Sequence, residues 1–189
     1  PHAKIIITSK GFANSKGKTF PELIIKKYPN QIFGVLTGPT FAHELSKNLP
    51  AAALIASKDL NFSKLISEIF FKSCLRLYIS EDIIGASIAG AIKNIIAIGS
   101  GITEGLKLGE NAKAGLITRG IEETQRIILK MGGKSETIFG LAGLGDMILT
   151  CGSSSSRNMK YGMTLVKPIT KSDDNLVEGI YALKATKYI

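Results

Sequence analysis

The chain has 189 residues, of which 44% are hydrophobic, 21% charged and 7% aromatic, a profile typical of a soluble globular protein and not of a disordered or fibrous one. Lys and Arg number 24 against 15 Asp and Glu, and the net charge of +9 favours anionic partners such as phosphorylated metabolites, nucleotides or nucleic acid. Because the basic residues are mostly scattered lysines without interleaved aromatics, we expect no nucleic-acid partner.

The first eighty residues alternate short apolar runs with helical stretches. The predicted strands cover residues 3–8, which we expect to be buried, 31–36, 51–57 and 75–79, and the predicted helices cover 20–28, 41–47 and 62–71. This rhythm of strands and helices predicts an α/β unit with a parallel sheet.

Long helices follow Ser80, which we predict to be an N-cap. They cover residues 83–102 and 111–131, the second ending at Gly132-Gly133, while 167–175 reads as a loop. The predicted fold class is therefore α/β followed by all-α. The expected domains are 1–80, a sheet domain, and 81–189, a helical domain.

The helix over 83–102 is long enough to cross a membrane, but Lys93 at its centre would cost about 3 kcal/mol there. We expect a buried core helix and no integral membrane segment. Cys74 and Cys151 lie far apart, and with only two histidines in the chain they form no recognisable zinc motif. We expect no metal, and reduced thiols in a cytoplasmic protein.

Lys93 is the first candidate for chemistry. Small or apolar neighbours surround it on nearly every face of the predicted helix, and desolvation favours the neutral amine that proton transfer requires. A lysine that extends to the surface, or pairs with Glu81 or Asp82, explains the pattern equally well.

Two turns after predicted strands are further candidates. Lys10 follows the first strand, at the edge where open α/β sheets bind ligands, and Gly38-Pro39-Thr40-Phe41 leaves the second strand and opens a helix that could hold an anion. An ordinary loop lysine and a plain strand-to-helix turn are the alternatives at these two places.

Two motifs in the helical part carry polar groups. Three glycines in Gly140-Leu141-Ala142-Gly143-Leu144-Gly145-Asp146 could let the backbone pack closely and aim the Asp146 carboxylate inward. Ser156-Arg157-Asn158 has the groups of a compact phosphate clamp, although a surface loop also explains its serine.

These motifs, together with Ala91-Ile92-Lys93-Asn94-Ile95-Ile96-Ala97, the run from Asn111 to Gly120 and Leu149-Thr150-Cys151, resemble NAD(P)-dependent sn-glycerol-3-phosphate dehydrogenase of the bacterial type, in order and spacing. The resemblance covers nearly the whole chain. It implies the rear part of a Rossmann-like dinucleotide-binding domain over 1–80 and a helical substrate domain over 81–189. It also implies hydride transfer between NAD or NADP and a phosphorylated triose, interconverting dihydroxyacetone phosphate and sn-glycerol 3-phosphate for phospholipid synthesis.

The resemblance also implies residue roles. Lys93 would be the proton donor and acceptor at the C2 oxygen, with Lys10 and Asp146 as the other catalytic residues. The implied substrate contacts are Lys10, Gly38, Thr40, Lys93, Asn94, Asp146, Thr150, Ser156, Arg157 and Asn158. The implied cofactor contacts are Lys10, Ala42, Arg157, Leu176 and Glu178.

The sequence departs from the family at its ends. It contains no G-x-G-x-x-G fingerprint for the cofactor pyrophosphate, and it opens on Pro1 like the interior of a longer protein. We therefore expect the 189 residues alone to be inactive, and consider a homodimer or association with a separate N-terminal half. The alternative hypothesis is a non-catalytic remnant of a split or decaying gene that binds phosphorylated ligands weakly at most.

Overall fold

The computed structural model describes residues 3–166 and 177–189. Its sheet has four strands in the order β1 (Ile5–Ile7), β2 (Phe33–Thr37), β3 (Ala51–Ala56) and β4 (Leu75–Ser80). Helices α1 (Phe20–Lys27), α2 (Ala42–Leu45) and α3 (Leu60–Phe70) connect these strands. The predicted strands and helices of this part are confirmed to within a few residues, and the predicted loop over 167–175 lies outside the described residues.

The sheet is mixed, so the prediction of a parallel sheet was wrong for one pair. β1 runs parallel to β2 and β3 parallel to β4, but β2 and β3 are antiparallel, with Val35 opposite Ala56 and Thr37 opposite Leu54. The connection between β2 and β3 contains only the four-residue helix α2, about 6 Å long. Such a helix is too short to return the chain along the sheet, as a parallel crossover requires.

Burial of the first strand was also overestimated. Ile5 is 38% exposed, and Ile6 and Ile7 are only partly buried.

Five α-helices form the rest of the described chain: α4 (Ile83–Gly105), α5 (Glu110–Lys130), α6 (Asp146–Gly152), α7 (Arg157–Thr164) and α8 (Glu178–Thr186). A 3-10 helix, Ser135–Phe139, and a π-helical segment, Leu141–Gly145, lead into α6. The N-cap of α4 is Asp82 and not Ser80, because the Asp82 side chain accepts a hydrogen bond from the Gly85 amide. Ser80 instead accepts one from the Asp82 amide.

Helix α4 is the centre of the molecule. Its buried side chains, among them Ile88 and Ile92, join one core cluster with Val35 of the sheet, Ile128 of α5 and Met147 of α6. A second cluster packs Phe62 and Ile66 of α3 against the opposite face of the sheet.

By length and composition α4 could cross a membrane, with a mean hydropathy of 1.6 over its most apolar window, but 78% of that window is buried inside the protein. This is what a core helix shows, as the sequence predicts. The division into two domains near Ser80 stays a prediction, since the first cluster contains side chains from both sides of that position.

Candidate active site

Lys93 lies in the interior of α4 and is only 6% exposed. Its Nζ donates hydrogen bonds to Asp146 Oδ1 and to Thr150 Oγ1, each at 2.8 Å. Of the alternatives open at the sequence level, neither extension to the surface nor pairing with Glu81 or Asp82 occurs. The amine is held inside the protein with a carboxylate and a hydroxyl as its partners.

Asp146 joins two lysines. It is 1% exposed, and its Oδ2 accepts a hydrogen bond from Lys10 Nζ at 2.7 Å while Oδ1 accepts from Lys93. Thr150, one turn later in α6, donates to the same Oδ1 at 3.2 Å. Two ammonium groups thus share one carboxylate, and this buried cluster has a surplus of one positive charge.

Lys10 comes to this cluster from the end of β1. Its Nζ donates to the Gly38 carbonyl at 2.7 Å as well as to Asp146. Burial of the amine lowers the pKa of Lys10, and the charge of Lys93 lowers it further, while Asp146 and Glu178 oppose the shift.

The turn after β2 presents that carbonyl. Gly38 has a φ of 144°, and a Cβ there would lie 2.9 Å from the Ala53 Cα, so the turn requires glycine. Thr40 Oγ1 donates to the Gly38 carbonyl at 3.3 Å, and Ala42 begins α2.

A cavity of about 160 Å³ opens beside Lys10 and Thr40, with Thr37 in its lining. The Thr37 hydroxyl, on a residue 3% exposed, has no hydrogen-bond partner within the described residues. Sequence reasoning missed Thr37, because one threonine at the end of a strand has no distinguishing pattern.

A second polar network, around Asn94, contacts the backbone of Lys10. Asn94 Nδ2 donates to the Lys10 carbonyl at 3.2 Å and to Glu178 Oε2 at 3.1 Å, while Asn158 Nδ2 donates to Asn94 Oδ1 at 2.9 Å. The Gly179 amide donates to Asn158 Oδ1 at 2.9 Å. The side chains of Asn94 and Asn158 therefore connect α4, α7 and α8.

The residues of the predicted phosphate clamp lie at the start of α7. Ser156 caps α7 by accepting a hydrogen bond from the Met159 amide, at 3.3 Å. The Arg157 side chain is 61% exposed and lies 3.7 Å from Glu178 Oε1, so its guanidinium is accessible from solvent. Leu176 lies outside the described residues.

Cys151 adjoins the cluster, although no role for it there is predicted from the sequence. Burial raises the pKa of its thiol to about 12, since the nearby Lys93 charge only partly offsets desolvation. Cys151 is thus a neutral packing group beside the lysines.

The residues present suit one end of a dinucleotide better than the whole of it. Lys10 and the Gly38 turn lie at the carboxyl edge of β1 and β2, next to the cavity that Thr37 helps to line, while the Thr37 hydroxyl itself is buried against Gly90 of α4. Residues at this carboxyl edge would hold the nicotinamide end of NAD or NADP, whereas the sequence contains no glycine fingerprint for the pyrophosphate. Within the described part of the chain, no group of three His, Cys, Asp or Glu residues is placed to hold a metal.

Comparison with known proteins adds independent evidence. Residues 1–63 match the family model of the NAD-dependent glycerol-3-phosphate dehydrogenase N-terminus, and residues 82–189 match the model of its C-terminus. The glycerol-3-phosphate dehydrogenase [NAD(P)+] of Francisella tularensis is 42% identical over 98% of this chain and 57% of its own length. The chain thus spans less than two thirds of the length of the curated relatives it matches.

Solved structures agree. The glycerol-3-phosphate dehydrogenase of Coxiella burnetii superposes with a TM-score of 0.92 at 38% identity, over 98% of this chain and 58% of its own. The enzyme of Saccharomyces cerevisiae gives 0.84 at 25% identity, over 99% and 59%. The fold class predicted from the sequence and the resemblance stated there are both confirmed. The chain belongs to the NAD-dependent glycerol-3-phosphate dehydrogenase family.

Proposed function

We propose that the chain is the substrate-binding and proton-transferring part of an NAD(P)-dependent glycerol-3-phosphate dehydrogenase. The reaction interconverts dihydroxyacetone phosphate and sn-glycerol 3-phosphate in the cytoplasm, and its product is used in phospholipid synthesis. The observation that carries the proposal is the buried cluster in which Lys10 and Lys93 share Asp146. Membership of the family supports the choice of reaction.

The cluster suits a reaction in which negative charge grows on a carbonyl oxygen. In the reducing direction NADH or NADPH, when bound, supplies a hydride to C2 of the ketone. The Lys93 ammonium donates a hydrogen bond to the developing alkoxide and then its proton, and in the oxidising direction the neutral amine removes the hydroxyl proton.

The other groups of the cluster hold this amine in place. Asp146 and Thr150 accept its hydrogen bonds, so Nζ is fixed within a buried site. Lys10 adds a second positive charge near the reacting oxygen while the alkoxide develops, before Lys93 gives up its proton, and this charge stabilises the anionic state.

The opposite end of the substrate would be bound by α7. The exposed Arg157 guanidinium can grip a phosphate through two hydrogen bonds, and its present partner Glu178 is 3.7 Å away, too far for a strong competing bond. Ser156 and Asn158 flank it as further substrate contacts, with Asn94, Thr150 and the Gly38–Thr40 turn around the carbinol. The proposed contacts to NAD or NADP in the described chain are Lys10, Ala42, Arg157 and Glu178.

The first test is binding by the 189-residue chain itself. Titration calorimetry with sn-glycerol 3-phosphate should show binding that Arg157→Ala weakens, and glycerol should serve as the control without phosphate. The chain alone should not oxidise NADPH when dihydroxyacetone phosphate is added, because its sequence contains no pyrophosphate fingerprint.

The second test supplies that fingerprint. A chimera with the glycine-rich dinucleotide-binding residues of a family member placed ahead of Pro1 should oxidise NADPH in the presence of dihydroxyacetone phosphate. Two results together would contradict the proposal and favour a non-catalytic remnant: the chimera binds NADPH but does not reduce dihydroxyacetone phosphate, and the 189-residue chain does not bind sn-glycerol 3-phosphate.

A further inference from the structure

Asp82 is a buried carboxylate that the proposed reaction does not use. It lies between β4 and α4, is 5% exposed, and caps α4 through Oδ1, which accepts a hydrogen bond from the Gly85 amide at 2.9 Å. A helix N-cap needs no more than this one oxygen.

The second oxygen of Asp82 serves another part of the chain. Oδ2 accepts hydrogen bonds from the Lys134 amide at 2.9 Å and from Thr137 Oγ1 at 2.5 Å, both at the 3-10 helix Ser135–Phe139. The two segments are in close contact, since a Cβ on Gly133 would lie 2.9 Å from the Gly85 amide nitrogen. One carboxylate therefore ties the start of α4 to the start of the 3-10 helix.

Each of these two segments leads to one half of the Lys93–Asp146 pair. Lys93 is eleven residues along α4 from Asp82, about 16 Å of rigid helix. The 3-10 helix leads into the π-helical segment, in which a Cβ on Gly143 would lie 2.1 Å from the Ile138 carbonyl oxygen, and Asp146 follows directly. The rigid helix α4 fixes the position of Lys93 relative to Asp82. Close backbone packing in the segment 134–146 likewise fixes the position of Asp146 relative to Asp82.

We propose that Asp82 is a positioning residue whose carboxylate sets the register of α4 against the segment 134–146, so that Lys93 and Asp146 meet. The effect of this positioning on turnover rests on the proposed function, whereas the register of α4 against the segment 134–146 is independent of it. If Asp82 were only a helix cap, its second oxygen would not matter to Asp146.

Two variants separate the cap from the connection. Asp82→Asn keeps one acceptor oxygen and an equally good N-cap, but its NH₂ group cannot accept from the Lys134 amide. Thr137→Val keeps the shape of the side chain and the cap and removes one donor to Oδ2. The matched control is Asp59→Asn, because Asp59 caps α3 through the Phe62 amide, at 2.9 Å, and α3 packs on the face of the sheet opposite to α4.

The measurements need no turnover. We expect both variants to shift the carboxyl ¹³C NMR signal of Asp146, assigned by its loss in Asp146→Asn, and to accelerate amide exchange over residues 141–152 about tenfold, as expected for loss of a charge-assisted hydrogen bond. Asp59→Asn should change neither quantity. Since the readouts are independent of activity, failure of the chimera to turn over would count against the proposed function alone.

The proposal would be overturned if both variants kept the wild-type Asp146 signal and the wild-type exchange rates over residues 141–152. In that case faster amide exchange would be confined to the first turn of α4. If Asp82→Asn does not fold, Thr137→Val decides the question by itself, since it leaves the cap of α4 intact.

Discussion

The sheet and the helices contribute to the candidate site in different ways. From the sheet come Lys10 and the Gly38 carbonyl, which lie on turns after strands and depend on backbone conformation, and the Lys10 side chain remains 17% exposed. From the helices come Lys93 and Asp146, whose side chains are 8% and 1% exposed and depend on packing around them. Defects should therefore act through buried charge in the helical part and through backbone strain in the sheet.

The largest effect should come from Lys93. In the chimera, Lys93→Met should lower kcat about a thousandfold while KM for dihydroxyacetone phosphate changes little, because the methionine fills the space but cannot transfer a proton. Steady-state kinetics at 340 nm measure both constants. Lys113→Met is the control and should retain turnover, because it removes a lysine of α5 that pairs with Glu104 at 2.7 Å and has no contact with the Asp146 carboxylate in the described structure. Turnover that survives Lys93→Met would remove Lys93 from the proposed chemistry.

The next effect should be on stability. Asp146→Asn should lower the free energy of unfolding by about 3 kcal/mol, because it leaves two buried ammonium groups without their carboxylate. Glu122→Gln breaks only the exposed pair with Arg119 and should cost about 0.5 kcal/mol or less. Urea unfolding of the chain measures the loss of unfolding free energy in both variants. Equal losses would show that burial of the Asp146 ion pairs adds nothing to their contribution to stability.

A smaller loss is expected from the backbone of the sheet. Gly38→Ala should cost about 2 kcal/mol, because its φ of 144° is unfavourable for an L side chain and the new Cβ would meet Ala53. The neighbouring turn offers the control Gly11→Ala, since a Cβ there meets no atom within 4 Å. Urea unfolding compares the two alanine variants. If they are equally stable, backbone strain is not what the Gly38 turn depends on.

The smallest effect concerns pH. The pKa of Lys10 in the folded chain is lower than its ordinary value of 10.5. At a pH between the folded pKa and 10.5, the unfolded chain therefore binds more protons than the folded chain. Stability contributed by Lys10 therefore increases as pH rises through that window and is lost as pH falls. The difference in unfolding free energy between wild type and Lys10→Gln should increase with pH in the alkaline range.

Lys113 provides the opposite case. Its hydrogen bond to Glu104 raises the pKa of Lys113, so its contribution is present below 10.5 and is lost as pH rises through the folded value. The difference between wild type and Lys113→Gln should decrease with pH. Slopes of the same sign for both lysines would contradict the contrast between Lys10, whose pKa is lowered by burial, and Lys113, whose pKa is raised by its hydrogen bond to Glu104.

By itself, the sequence determined the four strands, helices α1 to α5, the burial of α4 and the identity of the chemical groups, since periodicity and short motifs are local properties of a chain. It did not predict α6, α7, α8, the 3-10 helix or the π-helical segment. It assigned the cap of α4 to Ser80 and made the sheet parallel, because the choice between neighbouring polar residues and the direction of a returning strand depend on contacts with other segments. Only the tertiary structure decided that Lys93 pairs with Asp146 and not with Glu81 or Asp82. It also placed Thr37 in the lining of the cavity beside Lys10 and joined Asp82 to Lys134 and Thr137. Such pairings join residues more than fifty positions apart, and they exist only when packing brings those residues together.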